Sequence, residues 1–315
     1  MEEKENKKDA LERFISDSTK NQPSDSSSIN KFSGNDYGDT MSYITVDLTA
    51  LPTGLFYKPG TIIMIRAASV SEVQAYSSID DSNYLDVTEK MNEMLSRCIK
   101  IKHPNGMIGT YKDLKDNDRL FLIFMIRELT FQKNSNLAKD ATCKNCKHEF
   151  KIQFRATPGT DCPKTFSNYE IDKDLEQFFN KVDRTFDFVL DEKTYKLAPP
   201  CISIQEVFFK NIKEKVQSEK TPNVSFLKII PFTLWDRKTI TDEGIKAKED
   251  EFKNMDMDTF LFLDEVVSKM LYGIKELKIS CPVCGEEVHT DMTFPKGASS
   301  IFKPGVNLLD RISKK

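Results

Sequence analysis

The chain has 315 residues, 39% of them apolar, which allows one large or two medium domains with a real hydrophobic core. A formal net charge of −3 and a pI near 5.8 give no global attraction to phosphate, so nucleic-acid binding would need a local basic patch, and none stands out. The opening "MEEKENKKDALERFISD" lacks the apolar stretch of a secretory leader, and the longest apolar run, Leu120 to Ile126, falls far short of the ~20 residues of a membrane span.

A cytosolic, reducing setting is therefore expected. Seven cysteines, an odd number, then point to metal ligation rather than to a disulfide framework. Cys98, Cys162 and Cys201 are isolated and read as small buried hydrophobes.

Residues 1–40 are rich in Lys, Glu, Asp, Ser and Asn and read as a flexible polar arm, with Leu11, Phe14 and Ile15 spaced for a short docking helix. The folded part opens with two strand-like runs, Tyr43 to Leu48 and Thr61 to Ile65, around a Pro/Gly segment. Ser69 and Glu72 then form a capping-box start to a helix. Val87, Met91, Met94, Leu95 and Cys98 recur at helical spacing, and Asp116 is placed to cap an apolar helix running to about Leu129. "CKNC" (Cys143, Cys146) follows, and Phe150, Ile152 and Phe154 alternate as in a half-buried strand.

The second half repeats this order. "FDFVLDEKTYKL" reads as a hairpin turning at Asp191 and Glu192. "SIQEV" (Ser203 to Val207) matches "SVSEV" (Ser69 to Val73) as a capped helix start, and "DMDTFLFL" (Asp256 to Leu263) matches "DNDRLFLI" (Asp116 to Ile123). "CPVC" (Cys281, Cys284) then leads into Val288, Thr290, Met292 and Phe294. Glu72 precedes Cys143 by 71 positions and Glu206 precedes Cys281 by 75. Four matches in one order predict an α+β fold of internally duplicated strand-helix units, 41–160 and 161–295, followed by a C-terminal tail, 296–315, whose apolar residues pack on the chain's own domain or extend onto a neighbouring molecule, the neighbour being slightly preferred.

A single CxxC is half of a structural metal site, and duplication supplies the other half. Cys143, Cys146, Cys281 and Cys284 are expected to form one split zinc ribbon, with Gly285 relaxing the second turn. His148 and His289 read as strand residues beside the site and His103 as a loop residue. A redox dithiol would open a helix, whereas both motifs lead into strands. Four thiolates leave no open position for catalysis. There is no G-x-G-x-x-G, P-loop or H-E-x-x-H pattern, and the acidic clusters "SIDDSNYLD" and "MDMD" read as caps or solvated loops, so no enzyme is expected.

The segment "LPTGLFYKPGTIIMIRAASVSEV" (Leu51 to Val73), the later CxxC, and "CPVCGEEV" leading to "TFP" resemble the baseplate hub and hub-assembly proteins of contractile-tailed, T-even-type bacteriophages. That resemblance spans most of residues 45–295. It implies a structural or assembly protein partnered by other hub and tail proteins, without small-molecule substrate or membrane, present in the host cytoplasm during assembly and then in the virion tail baseplate. The alternative is a zinc-ribbon nucleic-acid binder. Lys144, Lys147, Lys151 and Arg155 around the first cysteine pair favour it, and Glu286, Glu287 and Asp291 around the second oppose it.

Overall fold

Alternating apolar residues set the first sheet. Strands β1 (Ile44–Thr45), β2 (Ile62–Ile65), β3 (Ile99–Lys102) and β4 (Ile108–Gly109) pair antiparallel in that order. In register, Ile63 faces Ile101 and Ile65 faces Ile99, and all four are buried on one face of the pleat. The computed structural model describes residues 42–131, 137–154, 171–218, 225–270, 277–290 and 297–302. It is a mixed α+β chain with several small antiparallel sheets. Strand β1 is shorter than the run Tyr43 to Leu48, because the Asp47 carboxylate accepts from the Thr49 amide (2.9 Å) and turns the chain into a 3-10 segment, Leu48–Ala50.

Helices α1 (Val70–Ser77) and α2 (Tyr84–Cys98) lie between β2 and β3 in sequence. The capping box at α1 forms as expected, with the Glu72 amide on Ser69 Oγ (3.3 Å) and the Ser69 amide on Glu72 Oε2 (2.7 Å). Glu72 also accepts a two-pronged bond from Arg66 at 2.8 and 3.0 Å, and this guanidinium brings its carboxyl down to about 2. Along α2, Met94, Leu95 and Cys98 point into the core. Helix α3 (Arg119–Phe131) carries the apolar run, whose members Phe121 to Ile126 are all buried. Asp116 does not cap it. It lies in a preceding 3-10 turn, Asp116–Asp118, and its carboxylate pairs with Arg119.

The anchoring role belongs to Asp118, which is fully buried. It accepts from the Thr53 amide (2.8 Å), the Thr53 hydroxyl (2.7 Å) and the Tyr57 hydroxyl (2.8 Å), and the Tyr57 oxygen in turn accepts from the Lys115 amide (2.9 Å). Between Thr53 and Tyr57 the backbone passes so close to the Leu48 carbonyl that a Cβ on Gly54 would sit 1.6 Å from its oxygen, so glycine is required. Leu51 and Tyr57 belong to one hydrophobic core, while Phe56 enters a second, edge-on to Phe179 and Phe186. The loop 51–57 thus joins two cores. Beside it, residues 114–116 run along 199–202, with Asp116 N on Pro200 O (2.9 Å) and Ile202 N on Leu114 O (2.8 Å).

The second core is covered by a three-stranded antiparallel sheet, β7 (Phe179–Asn180), β8 (Thr185–Leu190) and β9 (Lys193–Leu197), and by helices α4 (Ile202–Ser218), α5 (Asp242–Lys253) and α6 (Met257–Met270). Asp191 and Glu192 turn the β8–β9 hairpin with φ of 46° and 63°, both left-handed as a type I′ turn requires. Asp256 caps α6 as expected, accepting from the Thr259 amide at 2.8 Å. Ser203 does not cap α4. Pairing with residues 114–116 holds the chain extended up to Cys201, so the helix begins at Ile202 and Ser203 falls in its first turn.

The expectation that the C-terminal tail leans on a neighbour is overturned for residues 297–302. Ile301 and Phe302 are buried in the first core, Phe302 against Tyr76 (4.7 Å between ring centroids). The Ser299 amide and hydroxyl donate to Asp81 at 3.0 and 2.6 Å, and Gly297, at φ 72°, has no room for a Cβ beside that carboxylate. Leu11, Phe14 and Ile15, Arg155, Cys162, Asp291, Met292, Phe294 and residues 303–315 lie outside the described residues.

Burial pushes the Asp118 carboxyl up to about 6, against the Thr53 and Tyr57 donors that hold it down. Its unfolded value is about 3.9. Between those values the folded protein binds a proton that the unfolded chain has released, so this group's stabilisation is full at low pH and falls as pH rises toward about 6. Asp118→Asn should flatten that slope in urea unfolding measured across pH, and equal slopes would contradict the assignment. Asp118→Ala should cost about 3 kcal/mol at neutral pH by stranding three buried donors.

Candidate metal centre

Two hairpins carry the cysteine pairs. Strands β5 (Leu137–Thr142) and β6 (Glu149–Phe154) form the first, and β10 (Leu277–Ser280) and β11 (Glu287–Thr290) the second. The turns share one hydrogen-bond scheme. Cys143 N donates to His148 O (2.9 Å) and Lys147 N to Cys143 O (3.0 Å), while Cys281 N donates to Glu286 O (2.8 Å) and Gly285 N to Cys281 O (2.9 Å). The residue four after the first cysteine is left-handed in each, Lys147 at φ 61° and Gly285 at φ 74°. Glycine meets that demand freely, as expected for Gly285, whereas a side chain at Lys147 costs about 1–2 kcal/mol.

Strand β11 lies against β5, and the two turns face each other. The four sulfurs of Cys143, Cys146, Cys281 and Cys284 all lie within 4.8 Å of one another. Cys143 Sγ is 3.6 Å from Cys284 Sγ, and Cys146 Sγ is 3.6 Å from Cys281 Sγ. A disulfide would bring such a pair to about 2.05 Å. A zinc tetrahedron with Zn–S of about 2.3 Å has edges of about 3.8 Å, so the donor set fits a four-coordinate, thiophilic ion. Among the described residues no other group of His, Cys, Asp and Glu converges in this way.

The electrostatics agree with this. For Cys146, the bond from the His148 amide lowers the thiol, but burial and the neighbouring cysteines outweigh it and push it up to about 12. For Cys281, burial raises the thiol, but the amides of Cys284 and Val283 and the sulfurs of Cys146 and Cys284 bring it down to about 7. Four thiols this close cannot all ionise unaided; a divalent cation among them removes that repulsion.

Cys143 and Cys281 are buried and Cys146 and Cys284 exposed. Cys143, Cys281, Ala141 and Val288 all belong to the first core, with Phe150 and Ile279 packed on it. The second knuckle therefore packs with the core built by the first half of the chain. His148 lies in the turn just before β6 rather than in the strand, and its ring stacks on Phe150 (ring centroids 6.0 Å apart, planes within 9°). Lys144 and Lys147 are exposed on one knuckle, and Glu286 and Glu287 on the other.

The remaining candidates are structural. Cys98 is fully buried and Cys201 half-buried. His103 sits at a turn near Asp113 (3.5 Å) and Arg237 (3.2 Å). Asp80, Asp81 and Asp86 serve turns and the 297–302 segment. The Asp118–Thr53–Tyr57 cluster and the Arg66–Glu72 pair escaped sequence reasoning. The former joins residues 61 and 65 positions apart, and its only local signal was the spacing of Gly54 and Tyr57 in "PTGLFY".

No protein-family model, curated protein or solved structure matches the chain. No helix among the described residues is long and apolar enough to cross a membrane.

Elemental analysis of the purified protein should find one thiophilic divalent ion per chain. The double variant Cys143→Ser/Cys281→Ser should lose it and melt well below wild type. A metal-free wild type, or an unchanged melting temperature in the variant, would contradict the site.

Proposed function

We propose that the chain is a non-enzymatic structural or assembly component of a bacteriophage tail baseplate hub, with zinc clasping the two halves of the chain. The observation that carries the structural role is the donor set itself. Four cysteines from turns 135 positions apart converge on one tetrahedral volume, and four thiolates leave no coordination position for a substrate or an activated water.

Bound there, zinc would supply cross-linking. Its apparent binding energy in structural sites, about 10–16 kcal/mol, is comparable to the ~5–15 kcal/mol stability of a domain. The thiolates of Cys143, Cys146, Cys281 and Cys284 would hold it. The exposed Lys144 and Lys147 partly offset the net negative charge of a four-thiolate centre. The shared hydrogen-bond scheme of the two knuckles supports duplication as their origin, since matching scheme and left-handed position recur at equivalent places.

The assignment to a hub rests on the resemblance of Leu51 to Val73. Those residues make the joint between cores, with Thr53 and Tyr57 on Asp118 and Phe56 across in the second core, as suits a rigid body whose work is contact. A nucleic-acid role is disfavoured because Glu286 and Glu287 flank the same centre as the lysines and repel phosphate.

Mass spectrometry should find the chain in infected-cell lysate and in purified virions. Presence in lysate alone would make it an assembly factor, and absence from both would sink the phage reading. Binding to DNA or RNA at physiological salt should be negligible. A steep salt-dependent affinity would favour the nucleic-acid binder instead.

A further inference from the structure

We infer that the four-cysteine centre is an oxidative modification site, which a peroxide converts into two disulfides running between the knuckles, Cys143 to Cys284 and Cys146 to Cys281. The inference takes its starting state from the reading of these sulfurs as a metal centre.

Three observations carry it. The two 3.6 Å sulfur approaches each join one knuckle to the other. Each of these pairs also combines an exposed cysteine, Cys284 or Cys146, with a buried one, Cys143 or Cys281. With the four sulfurs held as thiolates by the ion, the exposed member of each pair meets the oxidant and the buried member completes the bond. The third concerns the turns. The Lys147 amide on the Cys143 carbonyl and the Gly285 amide on the Cys281 carbonyl close each knuckle through backbone alone, so sulfurs can draw together across the gap with both turns intact.

The chemistry balances for each bridge. The exposed thiolate attacks one oxygen of hydrogen peroxide, the O–O bond breaks, hydroxide leaves and a sulfenic acid forms. The facing buried thiolate then attacks that sulfur, the S–S bond forms and a second hydroxide leaves. Two electrons pass from the sulfur pair to one peroxide. Two such reactions consume all four thiolates, and the metal departs as a divalent cation without change of oxidation state.

The consequence is a clasp that survives loss of its metal. In a reducing cytoplasm the halves are held by the ion; in an oxidising medium the same halves become covalently joined across 135 and 141 positions of chain. For a protein that leaves the cell in a particle, the tie is strengthened where no reductant remains.

The full-length protein, its metal content measured beforehand, is treated with hydrogen peroxide, free thiols are blocked, and the chain is cut after lysine. Cleavage separates Cys143 (residues 140–144) from Cys146 (residues 145–147) and keeps Cys281 and Cys284 together in residues 279–296. The expected result is loss of all four thiols, release of the ion, and a single three-peptide assembly whose fragmentation places Cys143 on Cys284 and Cys146 on Cys281. In Cys146→Ser the Cys143–Cys284 bridge should still form. A two-peptide product joining 140–144 to 145–147, with an internal disulfide in 279–296, would overturn the inference, as would sulfinic acids without bridges. Either of those outcomes leaves the metal reading standing. A metal-free starting protein would sink the metal reading, while the sulfur pairing is still read from the same digest.

Discussion

Four thiols held within 4.8 Å of one another are the constraint from which the rest of this molecule follows. Four thiolates this close would repel one another without a cation between them, and the positions of the sulfurs are set by two turns that the chain reaches far apart in sequence. For Cys281 to meet Cys146, the chain must return to the first core after 135 positions. On that return β11 lies on β5, and Val288 and Ala141 are buried in the same core.

A second tie works by different physics. Asp118, sealed from water, gathers Thr53 and Tyr57, and so fixes the loop from which Phe56 reaches the other core. The cysteine cluster offers soft-ligand coordination and the Asp118 joint rests on desolvated hydrogen bonds, so the two ties lie in separate parts of the same body. Asp81, holding Ser299, adds a third and smaller tie that draws Ile301 and Phe302 into the first core.

What was legible in the sequence was local. The Ser69 capping box, the Asp256 cap, the Asp191–Glu192 turn, the buried helix around Leu122 and the two cysteine pairs are each specified by residues a few positions apart, and each is found. What was not legible depends on tertiary pairing. Ser203 has the spacing of a cap but loses the role because residues 199–202 are held against 114–116. Asp116 reads as the cap of α3, yet Asp118 two positions on is the residue buried and satisfied by partners over 60 positions away. Ile301 and Phe302 lack periodicity and read as leaning on a neighbouring molecule, but Asp81 holds the preceding turn and the two are buried in the chain's own core. Lys147 shows the converse: a left-handed lysine is a poor local choice, held there by the knuckle's own bonds, Lys147 N to Cys143 O and Cys143 N to His148 O.

The central claim is that one ion is coordinated solely by sulfur from both ends of a single chain. X-ray absorption at the metal edge of the monomeric full-length protein tests it most directly. The account predicts zinc with four sulfur neighbours at about 2.3 Å and no nitrogen or oxygen in the coordination sphere. A shell containing imidazole or water, or an ion shared between two chains, would contradict it.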